Sequence, residues 1–192
     1  MQRRLEAAGV VFHLGAASQS VERIHDSLRV TLANGDIIQT DVVLSAVGLR
    51  PRTALAEAAD IEVNRGIKVG KSLQTRHEDI YALGDCAEIE GRVLPFVMPI
   101  MHAARGLAAT LARIPTPVRY PAMPVLVKTP ACPTIVSLPD AGAQGEWLVE
   151  EYADGVKALF KSRDGKLLGF ALLGVSTKEK NALAAQLPAV ME

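Results

Sequence analysis

The sequence predicts an α/β fold that gives way, past the middle of the chain, to a small α+β domain. Three observations carry this. Two apolar runs without polar alternation, Val42–Val47 and Ile80–Leu83, each stop at a glycine, as strands covered on both faces do. Ile100, Ala103, Ala104, Leu107, Ala108 and Leu111 recur at helical spacing behind Pro99, which suits the first turn of a helix. Beyond Pro115 the prolines multiply and short alternating segments replace the βα rhythm.

Taken in order, "QRRLEAAGVVFHLG" reads as the last turns of a helix, a stop at Gly9 and a strand over Val10–Leu14. A fold rarely starts on a half-used helix, so the chain is expected to begin partway through a larger protein. The segments around His25-Asp26-Ser27 and Asn34-Gly35 predict an antiparallel meander, Asn-Gly being a tight-turn dipeptide. A short helix is expected over Thr53–Ala59, with strand-like pieces in "GIKV" and "SLQT". The tail "WLVEEY", "KALFKS", the Asp164-Gly165 turn and "LLGFALLG" predict an antiparallel sheet. Trp147 is expected in its core, and Ser176 or Thr177 as the cap of a final helix running to about Gln186. There is no internal repeat.

Composition narrows the function. The 192 residues suffice for a real core, 49% are hydrophobic, and 21 Lys+Arg balance 21 Asp+Glu, which leaves no nucleic-acid footprint and no acidic tail. No apolar stretch is long enough to span a bilayer, and the N-terminus lacks the apolar core of a signal peptide. Cys86 and Cys132 form neither a redox pair nor a zinc spacing and read as small apolar residues, which suits a reducing cytoplasm. The four histidines, His13, His25, His77 and His102, lack ligand spacing, so no metal site and no catalytic side chain is assigned. Arg50 and Arg52 read as solvated, with lining of the nucleotide cleft as the alternative.

The chemistry gathers at Gly84-Asp85. A carboxylate just past an apolar run stands at the carboxyl end of a sheet, where open α/β folds bind ligands. Gly84 would let a ligand approach the backbone, and an ionised Asp85 would accept charge-assisted hydrogen bonds from sugar-like hydroxyls. An ordinary turn would use the same residues. The longer pattern is more specific: Thr75, Ile80, Tyr81, Ala82, Gly84 and Asp85 in "TRHEDIYALGD" resemble the second flavin-binding motif of the flavoprotein reductases that carry two dinucleotide-binding domains. "DVVLSAVGLRPRT" resembles the end of their NAD(P)H domain, where the chain crosses back near Gly48 and Pro51. "GDCAEIEGRVLPFVMPIMHAARGLAATL" and "MPVLVKTPACP" resemble the bacterial rubredoxin–NAD(+) reductases, of the FAD-dependent pyridine nucleotide-disulfide oxidoreductase superfamily, over essentially the whole chain.

That resemblance implies FAD as cofactor, NADH as hydride donor and rubredoxin, or a similar small iron protein, as acceptor. Flavorubredoxin, ferredoxin and nitrite reductase systems, or a non-catalytic docking or dimerisation module, are the alternatives. It implies that Asp85 bonds the ribityl chain and that the helix at Pro99 points its N-terminus at the flavin, with the N–H groups of Ile100 and Met101 as donors. Lys128, unexpected in a strand-like run, would assist flavin binding or meet the acceptor; solvation of a long cationic side chain accounts for it equally. Neither G-x-G-x-x-G fingerprint of the family occurs here, so the resemblance is to a C-terminal half. Residues 1–50 would end an NAD(H)-binding Rossmann-like domain, 51–115 would complete the FAD-binding one, and 116–192 would be the α+β interface domain.

Overall fold

The computed structural model describes residues 1–192, which fold as two compact units, Met1–Gly48 and Leu49–Glu192. In the first, α1 (Gln2–Glu6) ends at Gly9, whose φ of +91° lets Val10 N–H donate back to the Leu5 carbonyl at 3.0 Å. An antiparallel meander of β1 (Ser18–Ile24), β2 (Ser27–Leu32) and β3 (Ile37–Thr40) follows in that spatial order, as its two turns predict. His25 takes the left-handed conformation at the first turn. At the second, Gly35 has φ +90° and Asp36 N–H donates to Asn34 Oδ1 at 3.1 Å. Val30 and Leu32 are the buried residues of this small sheet.

Two strands expected in this unit do not form. Val10–Leu14 and Val42–Val47 belong to no ladder, and Leu44 and Val47 are 86% and 94% exposed. An unalternating apolar run signals only that something should cover both of its faces. No strand of this chain bonds to either run, and an extended segment without a ladder partner is not a strand.

The second unit begins with α2 (Ala54–Ala58), within the expected range, and β4 (Ile67–Val69), the "GIKV" piece. β4 pairs in parallel with β5 (Ala87–Ile89), the one parallel pairing in the chain. The run before Gly84 is not the buried strand expected. Ile80 is 39% exposed, and the segment makes only a local reversal, with Thr75 N–H to the Ile80 carbonyl at 2.9 Å and Ala82 N–H to the Leu73 carbonyl at 3.0 Å. "SLQT" contributes one bridge, Gln74 to Tyr81. Asp85 therefore precedes a strand instead of ending one.

α3 (Val97–Leu111) opens two residues before Pro99, which is buried in its first turn. Its buried face is Pro99, Ala103 and Gly106; Ala104, Ala108 and Leu111, expected inside, are exposed. The contact is narrower than the apolar stripe because small residues bring the helix hard against the 116–118 segment, where a Cβ on Gly106 would lie 2.9 Å from Val118 Cγ2. Ala103 joins Val69, Leu73, Ala82, Ala87, Ile89, Val118, Tyr120, Met123 and Met191 in one core cluster.

The rest of the unit is a five-stranded antiparallel sheet in the order β6 (Val125–Val127), β7 (Thr134–Ser137), β10 (Leu167–Gly174), β9 (Gly155–Lys161), β8 (Glu146–Tyr152). The last three strands are the predicted hairpins. Phe170 and Leu172 are fully buried and pack with Ile135, Leu167 and Leu183 in a second core. Trp147 is not core: β8 is an edge strand, and the indole, 40% exposed, leans edge-on against Phe160 with ring centroids 5.3 Å apart. The final helix is shorter than expected. A 3-10 turn (Val175–Glu179) leads into α4 (Lys180–Ala184), and neither Ser176 nor Thr177 caps it, because Thr177 Oγ1 donates back to the Gly174 carbonyl at 2.7 Å. The chain then returns to the first core of the unit: Tyr120 and Met191 exchange N–H to carbonyl bonds at 2.8 and 3.1 Å, and Lys71 Nζ donates to the Glu192 carbonyl. The α/β class with an α+β tail stands, although most of its pairing within this chain is antiparallel.

Candidate functional site

The Gly84 backbone at φ +86° turns the chain outward, and a Cβ there would meet only Ile100 Cγ1, at 3.9 Å. The left-handed conformation favours glycine, and the space beside it is open. Ala87 N–H closes the turn on the Gly84 carbonyl at 3.0 Å, which leaves Asp85 exposed at its tip. Asp85 forms no ion pair and lines an open cleft of about 500 Å³ with Leu49, Arg50, Pro51, Arg52, Cys86, Pro95 and Ile100. A neighbouring hollow of about 360 Å³ continues along Arg50, Pro51, Arg65, Val93 and Pro95. None of the Arg50, Arg52 and Arg65 side chains has a carboxylate partner. The cleft thus offers one free acceptor set among cations.

α3 starts beside this opening. Phe96 is its N-cap and supplies no side-chain acceptor, so the first N–H groups have none from a cap. Because the helix begins at Val97, those free groups are Val97 and Met98, with Pro99 lacking one. The N–H groups of Ile100 and Met101, the expected donors, fall within the first intrahelical bonds. Ile100 instead presents its side chain to the cleft. Met101 is exposed on the helix.

Three positions past Asp85 lies a buried carboxylate. Glu88, in the centre of β5, accepts hydrogen bonds from Asn64 Nδ2 at 2.9 Å, Arg65 N–H at 2.8 Å and Gly66 N–H at 2.9 Å. The Asn64 amide, opposed by desolvation and helped by those two N–H groups and the charge of Lys68, holds its carboxyl below the usual glutamate range. Tyr120 lies buried under the same region, and burial pushes its phenol up.

The remaining expected residues lie elsewhere. Gly48, at φ +103°, is the last residue of the first unit. Lys128 is exposed just past β6, makes no ion pair and is absent from the cleft lining. His102 packs edge-on against Tyr120 at 6.3 Å. No three His, Cys, Asp or Glu side chains are placed to hold a metal ion. Arg65 and Glu88 escaped the sequence reading. The signal was present, as an Asn-Arg-Gly turn and an acidic residue inside the apolar strand "AEI".

A carboxylate on a glycine turn, a helix N-terminus and unpaired cations along one cleft are the groups that a polyol carrying negative charge would require. Comparison with known proteins gives the chain a family. Residues 1–108 match the pyridine nucleotide-disulphide oxidoreductase family, and residues 117–187 match a rubredoxin binding C-terminal domain. The chain belongs to the pyridine nucleotide-disulphide oxidoreductases. It is 51% identical over 190 residues to the rubredoxin-NAD(+) reductase of Alcanivorax borkumensis, across 98% of this chain and 50% of that protein. It is 42% identical over 183 residues to a nitric oxide reductase FlRd-NAD(+) reductase of Salmonella agona, across 95% of this chain and 48% of the relative. A solved ferredoxin reductase from Rhodopseudomonas palustris, 24% identical, superposes with a TM-score of 0.83 over 97% of this chain and 48% of its own, which supports the α/β fold. The chain spans about half the length of the curated relatives it matches.

Proposed function

We propose that this chain is the C-terminal part of an FAD-dependent oxidoreductase that passes electrons from NADH, through the flavin, to rubredoxin. The carrying observation is the unpaired Asp85 carboxylate on its glycine turn, facing an open cleft beside an uncapped helix N-terminus. The residues fit the cofactor: Asp85 is free to accept from ribityl hydroxyls, Gly84 leaves room for the sugar chain, and the α3 N-terminus suits the ring edge that becomes anionic. Bound FAD would supply the two-electron to one-electron conversion that joins a hydride donor to an iron protein.

The chain's own residues then have separate tasks. Asp85 holds and orients the ribityl chain. Val97 and Met98 N–H, on the Pro99 turn with Ile100 and Met101 behind them, favour negative charge near the helix by about 0.3–1 kcal/mol. Residues 1–50 close the NAD(H)-binding domain at Gly48, 51–115 complete the FAD-binding domain, and 116–192 form the interface domain on which rubredoxin docks. Lys128, exposed and unpaired, stands on that domain as a steering charge for an acidic acceptor. The exposed apolar runs Val10–Leu14 and Val42–Val47 are faces for the dinucleotide domains to cover. A cytoplasmic location accords with two free cysteines.

The test is reconstitution of the whole protein with FAD and stopped-flow measurement of each half-reaction, with rubredoxin and flavorubredoxin offered as acceptors. The expected result is flavin reduction by NADH, fast reoxidation by rubredoxin, and slower association, most marked at low salt, for Lys128→Glu. A whole protein that takes up no flavin would overturn the reading.

A further inference from the structure

We infer that Glu88 is a positioning residue for the cofactor cleft, tying the strand segment that follows Asp85 to the turn that lines the hollow beside it. The inference rests on the FAD reading above and assigns to the site a residue that touches no cofactor.

Glu88 is 3% exposed and is the only charged side chain among the buried residues. No cation bonds to it; the three groups that do are neutral donors from one turn, Asn64-Arg65-Gly66. A buried carboxylate whose bonded partners are all neutral, with Lys68 acting on it only at a distance, is a costly way to hold a turn, since apolar packing would do so more cheaply. What it adds is a single geometry: three donors must converge on two oxygens. The turn so fixed is pressed onto the segment that follows Asp85. Ile67 N–H donates to the Cys86 carbonyl at 2.7 Å, and a Cβ on Gly66 would lie 2.8 Å from that oxygen and 3.2 Å from Glu88 Cβ.

Both clamped segments reach the opening. Arg65 spends its N–H on Glu88 and leaves its side chain free to line the hollow with Arg50. Asp85 and Cys86, on the strand side, line the cleft with Arg50 and Arg52. Glu88 therefore ties the backbone from which Arg65 reaches the hollow to the strand that follows Asp85 in the adjoining cleft. Loss of the clamp would free the Arg65 turn while leaving Asp85 itself unaltered.

The experiment compares FAD dissociation constants and flavin visible circular dichroism of the whole protein carrying Glu88→Ala, Glu88→Gln or Glu88→Asp. Leu172→Ala, in the separate core of the C-terminal sheet, controls for stability. Glu88→Ala is expected to weaken FAD about tenfold or more and alter the dichroism at temperatures where the protein is fully folded. Glu88→Gln, which keeps an acceptor for the backbone donors, should stay within about threefold of wild type. Leu172→Ala should lower the melting temperature and leave both flavin readouts unchanged. Equal loss of FAD by Glu88→Ala and Leu172→Ala would reduce Glu88 to a stabilising residue and sink the inference. If Glu88→Ala does not fold, Glu88→Asp decides: its shorter reach should weaken FAD, and wild-type affinity would overturn the positioning role. Wild-type protein that binds no FAD would instead overturn the functional reading itself.

Discussion

Asp85 and Glu88 stand three positions apart and are treated oppositely by the fold, one exposed and unpaired, the other buried and saturated with donors. Their tests differ accordingly. In the whole protein Asp85→Ala removes a charge-assisted acceptor from a flexible polyol, so FAD should bind about tenfold or more weakly while the melting temperature holds. Fluorescence titration of the apoprotein measures it, and unchanged affinity would return Asp85 to the status of a turn residue. Glu88 speaks through pH. Its folded-state pKa is depressed, so the stability it contributes is complete above the unfolded value of about 4.3 and is lost as pH falls through the lower folded value. Between about pH 5 and pH 2 wild type should therefore lose more stability than Glu88→Gln, as read from urea midpoints at each pH. Other carboxyls held low, such as Asp140 by the Arg92 guanidinium, titrate in both proteins and cancel in the difference.

At the scale of elements, α3 shows helix propensity and packing opposed. Gly106→Ala inserts a better helix former, a gain of up to about 1 kcal/mol. Its Cβ would nevertheless stand 2.9 Å from Val118 Cγ2 and 3.5 Å from the Thr116 carbonyl. Overpacking costs about 1–3 kcal/mol, so the variant should melt lower than wild type by calorimetry. A higher melting point would mean that the 116–118 segment yields. What was legible in the sequence divides on the same line between local and distant causes. The hairpins at Asn34-Gly35 and Asp164-Gly165 and the stop at Gly9 are written in neighbouring residues, and they form as read. The runs at Val10–Leu14, Val42–Val47 and Ile80–Leu83 announce burial without naming a partner, and no strand of this chain pairs with them. The α3 stripe failed for a related reason: hydrophobicity ranked Leu111 above Gly106, whereas the contact selected for smallness. Of the candidate site, the glycine turn at Gly84, the exposed Asp85 and a helix around Pro99 were legible in the sequence. The Glu88 clamp was not, because it joins residues more than twenty positions apart.

Over the whole molecule, the Asp41–Arg50 stretch is exposed and without helix or strand, and it contains the boundary between the two compact units. Brief digestion of this chain with thermolysin, which cuts ahead of apolar residues, should sever it first within Val42–Leu49. Mass spectrometry would identify a resistant product covering the second unit; initial cuts in β9 or β10 would contradict the division. The return of Met191 to Tyr120 bears on how the protein is made in a cell. The cluster around Leu73, Ala82 and Ala103 cannot be completed until residue 191 has been synthesised. At about 5–20 residues per second, Tyr120 waits roughly 4–14 s on the ribosome for its partner. Throughout that interval the nascent chain carries an unfinished apolar surface to which chaperones can bind. Damage to the last few residues should accordingly register first as lost yield during translation, before any change is seen in the purified product.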